Sequence, residues 1–368
     1  MLNVISWDEF VNVAINGKGV ICFGAGKELR KLCEKKEPQT FFDNIVDIID
    51  NDKKKQGTII NFKNKSYRIK SVNELCKDNL EGKCILITMV YEYFDVIEQL
   101  KIMGLYENTD IYLFHVMCEL ELENNAMNKE LPQNIRLSDK MLIPKKIHYC
   151  WFGGNPIPDK YKKWMESWNK YCPDYDIIEW NESNYDYTKN KYMYQAYKMK
   201  KWGFVPDYAR FDIIYQYGGI YLDTDVELVS NLDDMLYQNA FAGFESNNYV
   251  AFGLGFGAQK GNRIIKELMN DYDNREFIKS DGMLDMTASP VIQTEILKKK
   301  GLICNGEYQT LDDITIFPEK MLCGKSPSTR RVRLKPYTKS IHHYDGSWLE
   351  DDIKKKIMDV ESGLKDII

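Results

Sequence analysis

Between residues 19 and 113 the sequence alternates short apolar runs with helical periodicity, and this alternation constrains the fold more than any other feature. GVICFGAG is an apolar run closed by glycines, and KELRKLCEKK follows with helical spacing. NIVDIIDND is a second run that ends in acids; KCILITMV and TDIYLF are the third and fourth. Of the segments between them, SVNELCKDN reads as a helix capped by Ser71 with Glu74 three residues on, and YFDVIEQLKIMG as a helix ended by Gly104. Strands that alternate with helices predict a parallel sheet covered on both faces.

At 368 residues the chain is too long for one ordinary domain and suits two. The polar stretch ELELENNAMNKELPQNIRLSDK lacks clear periodicity, so a linker is expected at residues 121–140. It would join an N-terminal Rossmann-like domain, residues 1–120, to a second α/β domain over 141–368 that ends in an amphipathic helix, LEDDIKKKIMDVESGLKDII. A composition of 44% hydrophobic and 29% charged residues is globular, and a net charge of −5 argues against a nucleic-acid binder. No apolar run approaches the length of a membrane span, and MLNVISWDEF lacks the pattern of a signal peptide. The expected location is the cytoplasm, with contact limited to the inner face of a membrane. Nine cysteines without a CxxC pair read as reduced core thiols.

Gly24-Ala25-Gly26 follows a strand and opens a helix, where free backbone N–H groups suit a phosphate. Asp50, near the end of the next strand, stands where a ribose-binding acid belongs, but Leu29 occupies the place of the third fingerprint glycine. Gly24, Gly26 and Asp50 are therefore a candidate nucleotide site; the alternative is a tight strand-to-helix turn with nothing bound. CFGAG and VDIIDNDKKKQG resemble the Rossmann-like modules attached to some bacterial polysaccharide-synthesis proteins.

In GGIYLDTDVEL, Asp223 and Asp225 end an apolar strand entered through Gly218-Gly219. Asp-x-Asp also occurs at residues 50–52, 174–176 and 271–273, so the spacing by itself selects nothing. Alternation along a strand predicts that Tyr221, Asp223 and Asp225 share one face, at the carboxyl end where open α/β sheets bind ligands. Two carboxylates so placed suit Mg²⁺ or Mn²⁺, and they equally suit a solvated turn. Asp207 and Arg210, three apart, share a face of the preceding helix, as any intrahelical ion pair would.

Four blocks, KKIHYCWFGG, ESWNKYCPDYDIIEW, FVPDYARFDIIYQYGGIYLDTDVEL and IHHYDGSW, together resemble glycosyltransferase family 32 over residues 141–350. The core block is also similar to the catalytic domain of the large clostridial glucosylating toxins. The resemblance implies a GT-A fold and a retaining, metal-dependent transferase of bacterial surface (capsular) polysaccharide synthesis. Its donor would be a nucleotide sugar, UDP-hexose or UDP-N-acetylhexosamine, and its acceptor a saccharide or lipid-linked saccharide. It implies Asp225 as a metal ligand, with Asp223 between metal and donor. Asp207 and Arg210 would hold the donor sugar, although Pro206 replaces the small hydroxyl residue common before this acid. Trp151 would stack on the base, Tyr221 would join the donor-binding set, and Ser347-Trp348 would close over the diphosphate. Of the adjacent histidines, His343 is the expected third metal ligand, with His342 turned to the opposite side of its strand.

KSPSTRRVRLKPYTK carries Lys325, Arg330, Arg331, Arg333, Lys335 and Lys339 without an acid. It reads either as a solvated basic segment or as an attractor for a phosphate-bearing acceptor or anionic lipid. The alternative function is a nucleotide-binding oxidoreductase or sensor acting through Gly24, Gly26 and Asp50.

Overall fold

The computed structural model describes residues 1–76, 80–346 and 351–365. The chain divides into two compact units, Met1–Leu122 with Glu350–Ile368, and Glu123–Leu349. Both are α/β, as the alternation predicts.

The first unit runs β1 (Leu2–Asn3), α1 (Trp7–Ile15), β2 (Gly19–Phe23), α2 (Lys27–Glu34), α3 (Gln39–Asp43), β3 (Ile45–Ile49), a hairpin of β4 (Ile59–Phe62) and β5 (Lys65–Arg68), β6 (Lys83–Ile87), α4 (Tyr93–Ile102) and β7 (Asp110–Leu113). Its five-stranded sheet has the order β1-β7-β6-β2-β3, with every pairing parallel. Alternate residues feed two cores. Val20, Cys22, Cys84 and Leu86 enter one apolar cluster, and Ile21, Phe23, Ile85 and Ile87 enter the other. Burial on both faces explains why these strands read as continuous apolar runs. The capping box at Ser71 and Glu74 forms, but it starts only a single 3₁₀ turn, Val72–Glu74.

Two features differ from the sequence expectation. Helix α5 (Phe114–Met127) runs through the start of the expected linker. It looked irregular because its acids Glu119 and Glu123 are buried, so no clean polar face shows in the sequence. The C-terminal helix Asp351–Lys365 groups with the first unit: Leu364 is buried in that unit's core, and Lys356 pairs with Glu92 at 2.8 Å. Among the described residues no helix is long and apolar enough to cross a membrane.

The second unit runs β8 (Lys146–Cys150), α6 (Asp159–Tyr171), β9 (Asp176–Trp180), α7 (Lys191–Lys198), α8 (Pro206–Tyr217), β10 (Gly219–Tyr221), β11 (Val226–Leu228), β12 (Ala240–Phe244), β13 (Val250–Ala251), β14 (Phe256–Ala258), α9 (Arg263–Asp273), α10 (Ser289–Lys298), β15 (Gln309–Leu311), β16 (Ile314–Phe317), α11 (Glu319–Leu322) and β17 (Ser340–His342). Its main sheet has the order β15-β16-β12-β14-β10-β8-β9, with β13 beside β12. β8 is parallel to β9 and β10, and β12 is parallel to β16, while β14 runs antiparallel between β10 and β12. Two reversals restore direction, so β8, β10, β12 and β16 all end on one edge of the sheet. This mixed sheet with its parallel strands agrees with the GT-A expectation. A separate ribbon pairs β11 with β17.

Glycines set the passage from α8 into β10. A Cβ on Gly218 would meet Lys260 N at 2.9 Å, and one on Gly219 would meet His148 Nε2 at 2.9 Å. His148 is fully buried; it accepts from Trp180 Nε1 at 3.1 Å and bonds Gly218 O at 2.9 Å. Burial lowers its pKa to about 4, so it is a neutral pin for this turn.

Candidate functional site

Strand β10 stops at Tyr221, before the aspartates. Asp223 and Asp225 lie in the turn that leads to β11, closed by the Val226 N–H on Asp223 O at 3.1 Å. Their shared orientation comes from this turn and not from strand alternation, which corrects the sequence expectation. The ribbon places Val226 opposite His342, so β17 delivers its last residue beside the turn. Ligand atoms of Asp223, Asp225 and His342 lie within 4.8 Å of one another. His342 Nε2 is 3.2 Å from Asp225 Oδ1, and the Asp345 N–H donates to Asp225 Oδ2 at 3.0 Å.

Asp223 is held from behind. Arg210 Nη2 lies 3.0 Å from Asp207 Oδ1 and 3.8 Å from Asp223 Oδ1. The side chains of Arg210 and Asp207 are each 4% exposed, whereas Asp223 is 28% exposed. The helical i, i+3 spacing thus makes a buried pair whose cation reaches the floor of the site. Gly253 makes this approach feasible: a Cβ there would stand 2.5 Å from Asp223 Oδ2 and 3.2 Å from Arg210 Nη1. Tyr221 is 1% exposed and lies beneath Arg210, 5.3 Å from ring to guanidinium. It supports that cation and does not reach the cleft, so its expected place among the donor-binding side chains is corrected.

Electrostatics separate the two aspartates. Burial pushes Asp225 up, but His342 and the Asp345 N–H outweigh it and hold the carboxyl at about 2. Burial raises Asp223, with Arg210 opposing and Asp225 adding to the rise. For His342 burial favours the neutral ring, yet the facing Asp225 wins and raises its pKa. Two crowded carboxylates and an imidazole, still 14–28% exposed, form an oxygen-rich donor set suited to Mg²⁺ or Mn²⁺. A divalent cation would also relieve the repulsion between the acids.

His343 is not part of this cluster. Its Nε2 meets Glu227 Oε2 at 2.8 Å, and its ring stacks on Trp164 at 4.1 Å. Alternation holds only within the ladder, and the ladder ends at the pair Val226 and His342. Asp225 is already in the turn, so its carboxylate meets His342 and leaves His343 to Glu227.

Trp151 follows β8 on the same sheet edge, half-buried, with Nε1 donating to Asn155 O at 2.6 Å and its ring edge-on to Tyr161 at 5.7 Å. Tyr161 and Lys160 both hold the Asp345 carboxylate, which anchors the loop that caps Asp225. Ser347 and Trp348 lie outside the described residues. Sequence reasoning missed Gly253 and Asp345. Asp345 was within reach, since it stands inside IHHYDGSW.

The other candidates are used structurally. Asp50 is buried, accepting from Ala25 N at 2.7 Å and Asp52 N at 2.8 Å and pairing with Lys55 at 2.9 Å. Its oxygens hold the glycine turn instead of facing a ribose. A Cβ on Gly24 would stand 2.7 Å from Thr88 O, so this glycine serves close strand packing, and Gly26 caps α2 without a side-chain bond. In the basic segment, Arg330 donates to the carbonyls of His343 and Tyr344, and Arg331 and Arg333 approach buried Glu123 at 3.8 and 3.9 Å. Lys335 pairs with Glu130 at 2.5 Å, Lys339 with Asp234 at 2.8 Å, and Lys325 is buried. The segment's partners come from distant sequence, so it is not the free basic surface that an anionic acceptor or lipid would need.

Residues 158–242 match the model of a family described as a glycosyltransferase sugar-binding region containing a DXD motif. That stretch includes Asp207, Arg210, Asp223 and Asp225 and excludes Trp151 and His342. The chain is 28% identical over 158 residues to inositol phosphoceramide mannosyltransferase 3 of Schizosaccharomyces pombe, covering 39% of this chain and 42% of that protein. It is 32% identical over 108 residues to mannosyl phosphorylinositol ceramide synthase CSH1 of Saccharomyces cerevisiae, 28% of each chain. The match spans less than half the length of these curated relatives. Among solved structures, the PaToxG glycosyltransferase matches at 17% identity with a TM-score of 0.34, over 57% of this chain and 80% of that one.

Proposed function

We propose that the second unit is a metal-dependent, retaining glycosyltransferase that moves a hexose or N-acetylhexosamine from a nucleotide sugar, UDP-linked in the first instance, to a saccharide or lipid-linked saccharide acceptor in surface polysaccharide synthesis. The observation that carries this reading is the cluster of Asp223, Asp225 and His342, backed by Arg210 and Asp207. Asp207 and Asp223 lie within the stretch that matches a DXD sugar-binding region. The two yeast relatives are named for mannosyl transfer involving a phosphoinositol ceramide, which supports a hexosyl donor and a lipid-borne acceptor. Retention rests on the resemblance of the four sequence blocks.

Asp223, Asp225 and His342 would hold Mn²⁺ or Mg²⁺, which as a Lewis acid would neutralise charge on the departing diphosphate. Arg210 keeps Asp223 oriented, and the pair with Asp207 keeps Arg210 charged where water is largely excluded. The Asp345 N–H fixes the second oxygen of Asp225. Trp151, on the same sheet edge, offers an aromatic face for a base. These groups are positioned before substrate arrives, so little reorganisation accompanies charge development.

The test is metal-dependent hydrolysis of a panel of UDP- and GDP-sugars, with the anomer of any transfer product read by NMR. Asp225→Asn is expected to lower the Mn²⁺-dependent rate by about 10²–10³-fold, the scale of losing one preorganised electrostatic group, while the metal-free protein stays folded, with a lower melting temperature because the His342 and Asp345 contacts that hold this carboxyl ionised are weakened. Near-normal turnover in a purified Asp225→Asn variant would sink the mechanism. Donor binding without hydrolysis or transfer would instead leave a carbohydrate-binding remnant of the same fold.

A further inference from the structure

The β11–β17 ribbon lies outside the main sheet, and helix α6 grips it along its length. Near the C-terminal end of the helix, Trp168 Nε1 donates to Val226 O at 2.9 Å and Ser167 Oγ accepts the Leu228 N–H at 2.8 Å, so this end holds β11. One turn earlier, Trp164 stacks on His343, which follows β17. In the first turn Lys160 and Tyr161 both bond the Asp345 carboxylate, Lys160 at 2.5 Å. The Asp345 N–H in turn donates to Asp225 Oδ2 at 3.0 Å.

Tyr161 also faces the other way. Its ring stands edge-on to the Trp151 indole, centroids 5.7 Å apart, while its hydroxyl donates to Asp345. The residue is 5% exposed, and a tyrosine side chain has only two torsions, so ring and hydroxyl are set together. Its bond to the carboxylate is charge-assisted, the stronger kind. The Lys160 pair is different: that lysine is 52% exposed, and ion pairs of this kind contribute little. The hold on Asp345 therefore rests mainly on Tyr161. A nucleotide sugar joins its base to its diphosphate through one ribose. A base platform and an ion that share such a donor must stand at a matching spacing, and a small misplacement is costly.

We propose that Tyr161 is a positioning residue that keeps the base-binding and metal-binding halves of the site at a fixed spacing: its ring backs the Trp151 indole, and its hydroxyl, through Asp345, sets the orientation of Asp225. The proposal rests on the reading of Trp151 as the base platform and of Asp223, Asp225 and His342 as the metal centre. Tyr161 itself touches neither the donor nor the ion. The sequence gives no hint of this role, because in DKYKKWMESW Tyr161 is one more aromatic residue on an amphipathic helix.

The experiment is calorimetric titration of the full-length chain with Mn²⁺ alone and, separately, with UMP in the presence of EDTA. The proteins are wild type, Tyr161→Phe, Tyr161→Leu, Asp345→Ala and the double variant of Tyr161→Phe with Asp345→Ala. Tyr161→Phe keeps the ring and loses the hydroxyl, so Mn²⁺ should weaken by about 10-fold, the low end for an outer partner of a metal ligand, while UMP binds as in wild type. Tyr161→Leu loses both, so UMP should also weaken, by about 3–10-fold, the scale of one aromatic contact. The double variant should bind Mn²⁺ no more weakly than Asp345→Ala alone, because both changes break the same bond. Equal Mn²⁺ affinity in Tyr161→Phe and wild type overturns the proposal and leaves the metal centre standing. An equal fall of Mn²⁺ and UMP affinity in Tyr161→Phe, or independent losses in the double variant, also overturns it, in favour of a general packing role. If wild type binds Mn²⁺ but not UMP, the base platform and this proposal fall together; if it shows no saturable Mn²⁺ binding, the metal reading falls with them.

Discussion

His342 and His343 are neighbours with opposite duties. His342 faces Asp225, and His343 is occupied by Glu227 and the Trp164 ring. His342→Ala is therefore expected to weaken Mn²⁺ by at least 10-fold. His343→Ala should leave Mn²⁺ affinity unchanged and cost about 1 kcal/mol of stability, the scale of one hydrogen bond or aromatic contact. The same affinity loss in both variants, measured by calorimetry, would contradict the assignment. Residue types were legible in the sequence: two acids, a histidine pair and an acid–arginine pair on a helix. The choice of histidine was not, because it depends on where the ladder ends and how the turn aims Asp225.

At the level of elements, the site is a meeting of ends. β10 leads into the turn with the aspartates, β17 brings His342, α8 brings Arg210, and the turn before β14 makes room through Gly253. Gly253→Ala should displace Asp223, because a Cβ would stand 2.5 Å from its carboxylate. The expected result is a fall in Mn²⁺ affinity and turnover of about 10-fold or more with a stability cost of about 1–3 kcal/mol, the range for overpacking. Full activity in that variant would show that the turn yields freely. The basic segment belongs to this scale as well. Arg331→Gln with Arg333→Gln leaves Glu123 buried with its Thr329 contact alone. The expected loss is about 1–3 kcal/mol, as for a buried group deprived of its partners, read as a lower urea midpoint, with binding to anionic vesicles unchanged. If vesicle binding falls and stability does not, the structural account of these arginines is wrong. Both features escaped sequence reading for one reason: Glu123 and the arginines lie about two hundred residues apart, and Gly253 shows no signal until Asp223 is placed beside it.

For the whole molecule, the division into two units, each with its own cores, predicts separable responses to ligand. UDP with Mn²⁺ should raise the melting of the second unit by RT ln(1 + [L]/Kd), about 2.7 kcal/mol at a hundredfold excess over Kd, and leave the first unit where it was. NAD(H) should move neither, since the Asp50 oxygens already hold the Gly24–Gly26 turn and Lys55. A shift of the first unit with NAD(H), seen by calorimetry of the full chain, would revive the oxidoreductase reading.

The sequence by itself determined the fold class and the chemical inventory. In the first unit, apolar runs alternating with helical spacing leave little choice but a parallel sheet covered on both faces, because every strand must bury two sides, whereas the antiparallel β14 of the second unit's sheet shows only in the structure. Local spacing likewise placed Asp207 with Arg210 and Asp223 with Asp225, since one helix turn or one tight turn fixes each pair. Only the tertiary structure decided which histidine joins them, that Tyr221 lies beneath Arg210, that the basic segment is consumed inside the second unit, and that the C-terminal helix packs with the first. Each of these depends on contacts between residues distant in the chain, set by strand register and core packing, which no local pattern encodes.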